Sequence, residues 1–141
     1  MNRCAWCHEM SDRVKEIEVP MVDRFGRNPQ PKTVSVLPEH EDELRSYVED
    51  VNEHAFTMLM SVLSLSVLMV FASLLPAIGL PALTLPVVGG LMAATGLVLV
   101  RYPFATPETI AMLGMRRSRT TARWLGVATT LLGVGIGVLG I

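Results

Sequence analysis

A run of 46 residues without a charged side chain, from Ala55 to Val100, limits the possible folds of this chain more than any other feature. As a single helix the run would be about 69 Å long, at about 1.5 Å per residue. The hydrocarbon core of a bilayer is only about 30 Å thick and takes about 20 residues per helical crossing. The run therefore predicts two membrane-spanning helices joined by a tight turn.

Helix-breaking residues inside the run locate that turn. They lie near its middle: Pro76, Gly79, Pro81 and Pro86. We therefore expect a first span at about 55–75 and a second at about 84–101. A third apolar run at about 124–141 is long enough for one more crossing. The predicted fold class is mainly α and integral to a membrane, with three transmembrane helices and a small N-terminal unit.

The third apolar run is rich in glycine. Gly133 and Gly137 are four residues apart, which is the spacing of small residues at which membrane helices approach closely. Two interpretations are open at this stage. The glycine face packs on other helices of the same chain, or it binds a partner protein.

Charge is divided unevenly along the chain. Residues 1–54 hold seven Lys or Arg and twelve Asp or Glu, a net charge of −5. Residues 55–141 hold five Arg and one acid, a net charge of +4. The balance gives no basic surplus of the kind that nucleic-acid binding requires. We therefore expect a soluble acidic unit at 1–54, a membrane domain at 55–141, and no nucleic-acid partner.

The basic residues of the membrane part lie almost entirely between the second and third spans. The interfacial loop 102–123 carries four of them: Arg116, Arg117, Arg119 and Arg123. Because loops rich in Lys and Arg stay on the cytoplasmic side, the cluster is interpreted as a topology signal at the membrane surface. The N-terminus is then cytoplasmic and the C-terminus external, in an inner (cytoplasmic) membrane. Contact with anionic lipid headgroups is a second interpretation of the four arginines.

The same loop contains a predicted helix start. Thr106 offers a hydroxyl cap, Pro107 fits the first helical position, and Glu108 places an acid in the first turn. We expect a short interfacial helix that runs into the arginines.

The acidic N-terminal third predicts a β-hairpin followed by a helix. Apolar and polar residues alternate over 14–19 and again over 33–36, with turn-forming residues between them. The predicted hairpin therefore covers 14–36. From Pro38 onward, apolar residues recur at helical spacing and no breaker precedes the first span. We expect one helix from about residue 38 to about residue 75.

A C-x-x-C-H motif begins at Cys4, with Cys7 and His8 completing it. The motif resembles the haem attachment site of c-type cytochromes, whose maturation takes place outside the cytoplasm. The first thirty residues lack the basic patch and short apolar run of a signal peptide, and the predicted topology is cytoplasmic. Both observations disfavour haem. A thiol pair that responds to oxidants is another interpretation of Cys4 and Cys7.

A third interpretation of the motif is a zinc site. The order of a C-x-x-C turn, a hairpin and a helix whose first turn holds His40 resembles treble-clef and zinc-ribbon-type knuckles, over residues 4 to about 50. The resemblance implies one zinc ion with Cys4, Cys7 and His40 as ligands. The remaining ligand would fall near Leu37, where His8 could substitute. The alternative is a knuckle that keeps this fold without a metal.

No motif for nucleotide binding or hydrolysis occurs in the chain, and the predicted spans hold no ionisable side chain except Arg101 at the end of the second. Transporters and proton relays place such groups at membrane depth. The sequence therefore favours a non-enzymatic accessory or scaffolding protein in a membrane assembly, with protein partners and the bilayer as its surroundings. The alternatives are a zinc or thiol-redox sensor coupled to the membrane helices and, disfavoured, a c-type haem protein.

Overall fold

Three long helices dominate the computed structural model, which describes residues 2–22, 28–104, 110 and 112–140. Helix α1 covers Glu41–Ala72, α2 covers Pro81–Arg101 and α3 covers Met115–Leu139. Each is long and apolar enough to cross a membrane. The predictions of a mainly helical chain and of three such helices are confirmed. The third helix begins at Met115 rather than near residue 124, so it includes the arginines that were assigned to a loop.

Helix α1 is continuous from the acidic segment into the apolar run. It follows a 3-10 turn at Pro38–His40 and has 32 residues, a length of about 48 Å. It ends at Ala72, slightly before the predicted end of the first span. Pro76 explains that end, because a proline ring clashes with the carbonyl group four residues before it.

The turn between α1 and α2 is shorter than the sequence indicated. A 3-10 turn at Leu75–Ile78 is closed by Gly79, whose φ of 82° lies in the left-handed region that glycine favours. Helix α2 then begins at Pro81 rather than at residue 84. Proline fits the first helical position because the amide there needs no partner within the helix.

The chain folds as two compact units. The first comprises Met1–Thr57 with Phe104–Thr121, and the second comprises Met58–Pro103 with Ala122–Ile141. The first unit therefore combines the N-terminal third of the chain with a segment that follows the second helix. The predicted helix start at 106–108 lies outside the described residues.

Two small antiparallel sheets form the β part of the first unit. Strands β1 (Asn2–Arg3) and β2 (Met10–Ser11) pair with each other, and β3 (Lys15–Met21) pairs with β4 (Gln30–Val36). The register of the second pair sets Lys15 opposite Val36. The predicted hairpin is present, and its strands are longer than the alternating stretches that indicated it.

The core of the first unit lies between the hairpin and the start of α1. Alternation along β3 buries Ile17 and Val19 while their neighbours stay exposed. From α1, Leu44, Tyr47 and Val48 are buried at helical spacing. The cluster also includes Val36, Leu37, Cys4, Trp6 and Met115. The first unit thus has its own small core, drawn from three separate parts of the chain.

Polar contacts fix α1 to the hairpin. Asn52 accepts a hydrogen bond from the Val22 amide at 3.1 Å through Oδ1 and donates from Nδ2 to the Pro20 carbonyl at 2.6 Å. Glu41 lies 3.5 Å from Lys15 Nζ and accepts hydrogen bonds from Arg45. The Arg45 guanidinium lowers the pKa of Glu41. The helix therefore holds both ends of β3.

Candidate functional site

The Cys4–His8 loop joins β1 to β2 and is held by backbone hydrogen bonds. The His8 amide donates to the Cys4 carbonyl at 2.9 Å, and the Ala5 amide donates to the Ser35 carbonyl of β4 at 2.7 Å. His8 adopts a left-handed φ of 69°, which closes the turn. The C-x-x-C motif is therefore a defined turn attached to the hairpin.

The side chain of Cys4 is fully buried. Burial alone would raise the pKa of this thiol. Hydrogen bonds from three backbone amides outweigh burial, namely those of Cys7, Leu37 and Trp6, and the Cys7 thiol adds a fourth. Together they lower the pKa of Cys4, because each bond favours the charged sulfur.

Cys7 has the opposite character. Its side chain is only half-buried, and burial raises the pKa of its thiol against the effect of the Glu9 amide. The neighbouring Cys4 raises that pKa further. Both cysteines are free thiols. Negative charge in the pair is therefore favoured on the buried Cys4, with Cys7 as its hydrogen-bond donor.

The zinc ligands implied by the resemblance are not brought together. Among the described residues, no group of three or more His, Cys, Asp or Glu side chains is placed to hold a metal ion. His40 Nδ1 lies 3.2 Å from Glu43 Oε2 on its own helix, and His8 Nε2 lies 3.3 Å from Arg3. Because a structural zinc site takes four ligands, the residues present do not fit the ion.

Leu37 accounts for part of that outcome. Its side chain is buried in the core, at the position where the resemblance implied a further ligand. Its backbone amide is one of the donors to the Cys4 sulfur. The chain thus stabilises the Cys4 sulfur with peptide N–H groups. A covalent haem bond to Cys4 would require this buried sulfur to leave those donors.

The Cys4–His8 loop also caps helix α3. The Met115 amide donates to the Ala5 carbonyl at 3.2 Å, and the Arg116 amide donates to the Trp6 carbonyl at 3.0 Å. The first amides of a helix have no hydrogen-bond acceptor inside the helix, and the carbonyls of Ala5 and Trp6 act as acceptors for two of them. Gly114 allows the approach, because an added Cβ there would lie 3.1 Å from the Trp6 carbonyl oxygen.

Aromatic rings pack on one another beside the Cys4–His8 loop. The rings of Trp6 and Tyr47 meet edge to face with centroids 5.8 Å apart, and Tyr47 meets Phe104 at 6.3 Å. Trp6 is 5% exposed, and its indole N–H has no acceptor among the described residues. Sequence reasoning missed Trp6. The available signal was a large aromatic side chain between two cysteines in an otherwise polar segment.

The four arginines of the predicted surface cluster do not share one environment. Arg116, Arg117 and Arg123 are exposed. Arg119 is partly buried, with its guanidinium carbon 5.8 Å from the centre of the Tyr47 ring, a cation–π distance. Arg119 therefore contributes to the packing of the first unit, while the other three are available at its surface or along α3.

Gly133 and Gly137 lie against α2 within the second unit. A Cβ on Gly133 would lie 2.7 Å from the Gly89 carbonyl oxygen and would also meet the Ala93 amide nitrogen. A Cβ on Gly89 would meet the Gly137 amide nitrogen. Real Cβ atoms do not approach this closely, so the two backbones pack on each other. The glycine face is occupied by a helix of the same chain.

These arrangements define what the site can do chemically. The thiol pair can be oxidised or alkylated, and the loop that carries it holds the start of a helix. The chain matches no protein-family model, no curated protein and no solved structure.

Proposed function

We propose that this protein is a non-enzymatic accessory or scaffolding subunit of a membrane assembly. The observation that carries the proposal is the construction of the first unit. Residues from the N-terminus, from α1 and from the segment after α2 close around one core. Such a unit can present its surface to a partner in a fixed geometry. The uncharged stretches of the three helices give no path for ions or protons.

We further propose an inner-membrane location with a cytoplasmic N-terminus and an external C-terminus. The arginines of 102–123 support this orientation, because cytoplasmic loops carry the Lys and Arg excess. The hydrogen bonds from Met115 and Arg116 to the Cys4–His8 loop bear on a separate point, the number of crossings between the two segments. They require the N-terminus and this segment to lie on the same side of the membrane, as two crossings between them would give.

The outward face of the hairpin is our proposed docking surface. Glu16 and Glu18 are exposed between the buried positions of β3, and Thr33 is exposed opposite Glu18 on β4. With the surplus of acids over residues 1–54, this face suits a basic partner surface. No metal or cofactor is needed for that role.

A charge-reversal variant tests the docking surface. In native gels of membranes solubilised in mild detergent, the wild-type chain should migrate as part of a larger complex. Replacing Glu16 and Glu18 by Lys should release it to the size of the isolated protein, because like charges would then face the partner. Glu49→Lys is the control, since Glu49 is exposed on α1 and is not part of the hairpin. Wild-type protein that runs alone would contradict the proposal.

A thiol-redox sensor is the second candidate function, and the loop geometry favours it. Cys7 is partly exposed and Cys4 is its buried neighbour. Cys7 can attack a disulfide oxidant such as oxidised glutathione, losing its proton and releasing one glutathione thiol. The Cys4 sulfur then attacks the Cys7 sulfur and releases the second. The products are one protein disulfide and two glutathione thiols.

Oxidation should be detected at the start of α3. A disulfide would draw the Cys4 sulfur away from its amide donors and disturb the carbonyls of Ala5 and Trp6. Losing two hydrogen bonds at about 1 kcal/mol each should speed hydrogen exchange of the Met115 and Arg116 amides by about tenfold or more. Oxidised glutathione does not cross membranes, so inverted vesicles should respond and right-side-out vesicles should not.

Cys7→Ser is the control for this experiment, since it retains Cys4 but cannot form the disulfide. Exchange in this variant should be unaffected by the oxidant. Equal exchange rates in the oxidised and reduced wild-type protein would exclude the sensor. A response only in right-side-out vesicles would instead reverse the proposed orientation.

A further inference from the structure

A cavity opens beside Cys7 in the first unit. It is lined by Cys7, Leu113, Arg116, Arg117, Thr120 and Thr121, and we refer to it as the arginine cavity. Its volume is about 510 Å³, and it is open to solvent rather than enclosed. Neither the docking surface nor the helix cap uses this space.

The arginine cavity is lined by two positive charges, those of Arg116 and Arg117. Within the described ranges, neither Arg116 nor Arg117 forms an ion pair with a carboxylate, and both side chains are exposed. The amides of Met115 and Arg116 already donate to the Cys4–His8 loop. Attraction for an anion therefore comes from the two guanidinium groups and not from the helix terminus.

We infer that the arginine cavity binds a phosphate group carried on a small organic headgroup. A guanidinium presents a planar set of donors that matches two phosphate oxygens at once, and two adjacent guanidiniums suit a phosphate better than a single carboxylate. The Thr121 hydroxyl on the same wall can donate to a third oxygen. Leu113 supplies an apolar wall for the organic part.

Two sources could supply this group, a phospholipid of the bilayer or a soluble phosphate ester. The chemistry at the guanidiniums is the same for both. Occupation from either source would also cover Cys7, because that side chain lines the cavity. Cys4 is fully buried, so alkylation of the folded protein reports on Cys7.

The test measures the alkylation rate of Cys7 in the full chain in detergent. Short-chain phosphatidic acid and glycerol phosphate are the two probes, added at equal concentrations. We expect saturation to slow alkylation at least fivefold in the wild-type protein. Arg116→Gln and Arg117→Gln should each weaken the protection at least tenfold in probe concentration. Circular dichroism verifies that the variants are folded.

The outcomes distinguish a phospholipid from a soluble phosphate ester, and both from the absence of a phosphate site. Protection by both probes at similar concentrations indicates a soluble phosphate ester, whereas protection by the lipid alone indicates a membrane headgroup. Arg123→Gln removes an equal charge from an exposed position outside the cavity and should leave the protection unchanged. Equal weakening by Arg123→Gln, or no protection of Cys7 by either probe, would overturn the inference.

Discussion

Replacing Gly133 by Ala should lower the free energy of unfolding of the membrane helices by about 1–3 kcal/mol. The added methyl group would meet the Ala93 amide nitrogen and lie 2.9 Å from the Ala93 Cα atom. Both are backbone atoms, so no rotamer change can relieve the contact and the helices must separate. Equilibrium unfolding in mixed detergent micelles, monitored by circular dichroism, measures the change.

Gly135→Ala is the matched control for Gly133→Ala. Gly135 lies on the same helix, two residues further on, and a Cβ there would meet nothing within 4 Å. Alanine is favoured over glycine in a helix interior by about 0.5–1 kcal/mol, so this variant should be neutral or more stable. The two substitutions are chemically identical, but only Gly133→Ala is expected to lower the free energy of unfolding. An equal effect at both positions would contradict close packing of α2 on α3.

Replacing Trp6 by Ala should destabilise the first unit by about 3–5 kcal/mol. Trp6 is among the most buried large side chains of that unit and contacts the Tyr47 ring edge to face. The substitution removes the ring but retains the peptide carbonyl that bonds to the Arg116 amide. It therefore tests the core rather than the helix cap. Hydrogen exchange of the hairpin amides gives the local stability.

Trp124→Ala is the control for this second prediction. The chain has two tryptophans, and Trp124 is 70% exposed on α3. Its loss should change hairpin exchange by less than about 0.5 kcal/mol, as is usual for exposed positions. Hairpin exchange that is equally fast in both variants would mean that Trp6 does not support the core. The remaining tryptophan in each variant also provides a fluorescence signal for its own unit.

The helices could be predicted from the sequence because their signal is local. A charge-free run of 46 residues from Ala55 to Val100 is too long for one membrane crossing and fits two, and the prolines within it locate the turn. The hairpin could also be predicted, because the alternation of apolar and polar residues along β3 follows from the geometry of a half-buried strand. The ends of α1 and α2 moved by only a few residues, where proline rings decide them, whereas α3 begins at Met115 rather than near residue 124.

The site could not be predicted in the same way, because its principal atoms belong to the backbone. The donors to the Cys4 sulfur are peptide N–H groups, and the cap of α3 consists of the carbonyls of Ala5 and Trp6. Any residue type supplies such groups, so no motif marks them. The spacing of Cys4, Cys7 and His40 suggested three ligands, but spacing does not specify where a side chain points. His40 pairs with Glu43, one turn along its own helix.

The cap on α3 also sets an order for the biosynthesis of this protein. Cys4–His8 leaves the ribosome before Met115 and Arg116, whose amides donate hydrogen bonds to the carbonyls of that loop. Two apolar helices are made in between. The hydrogen bonds between the Cys4–His8 loop and the start of α3 can therefore form only after both helices have been synthesised.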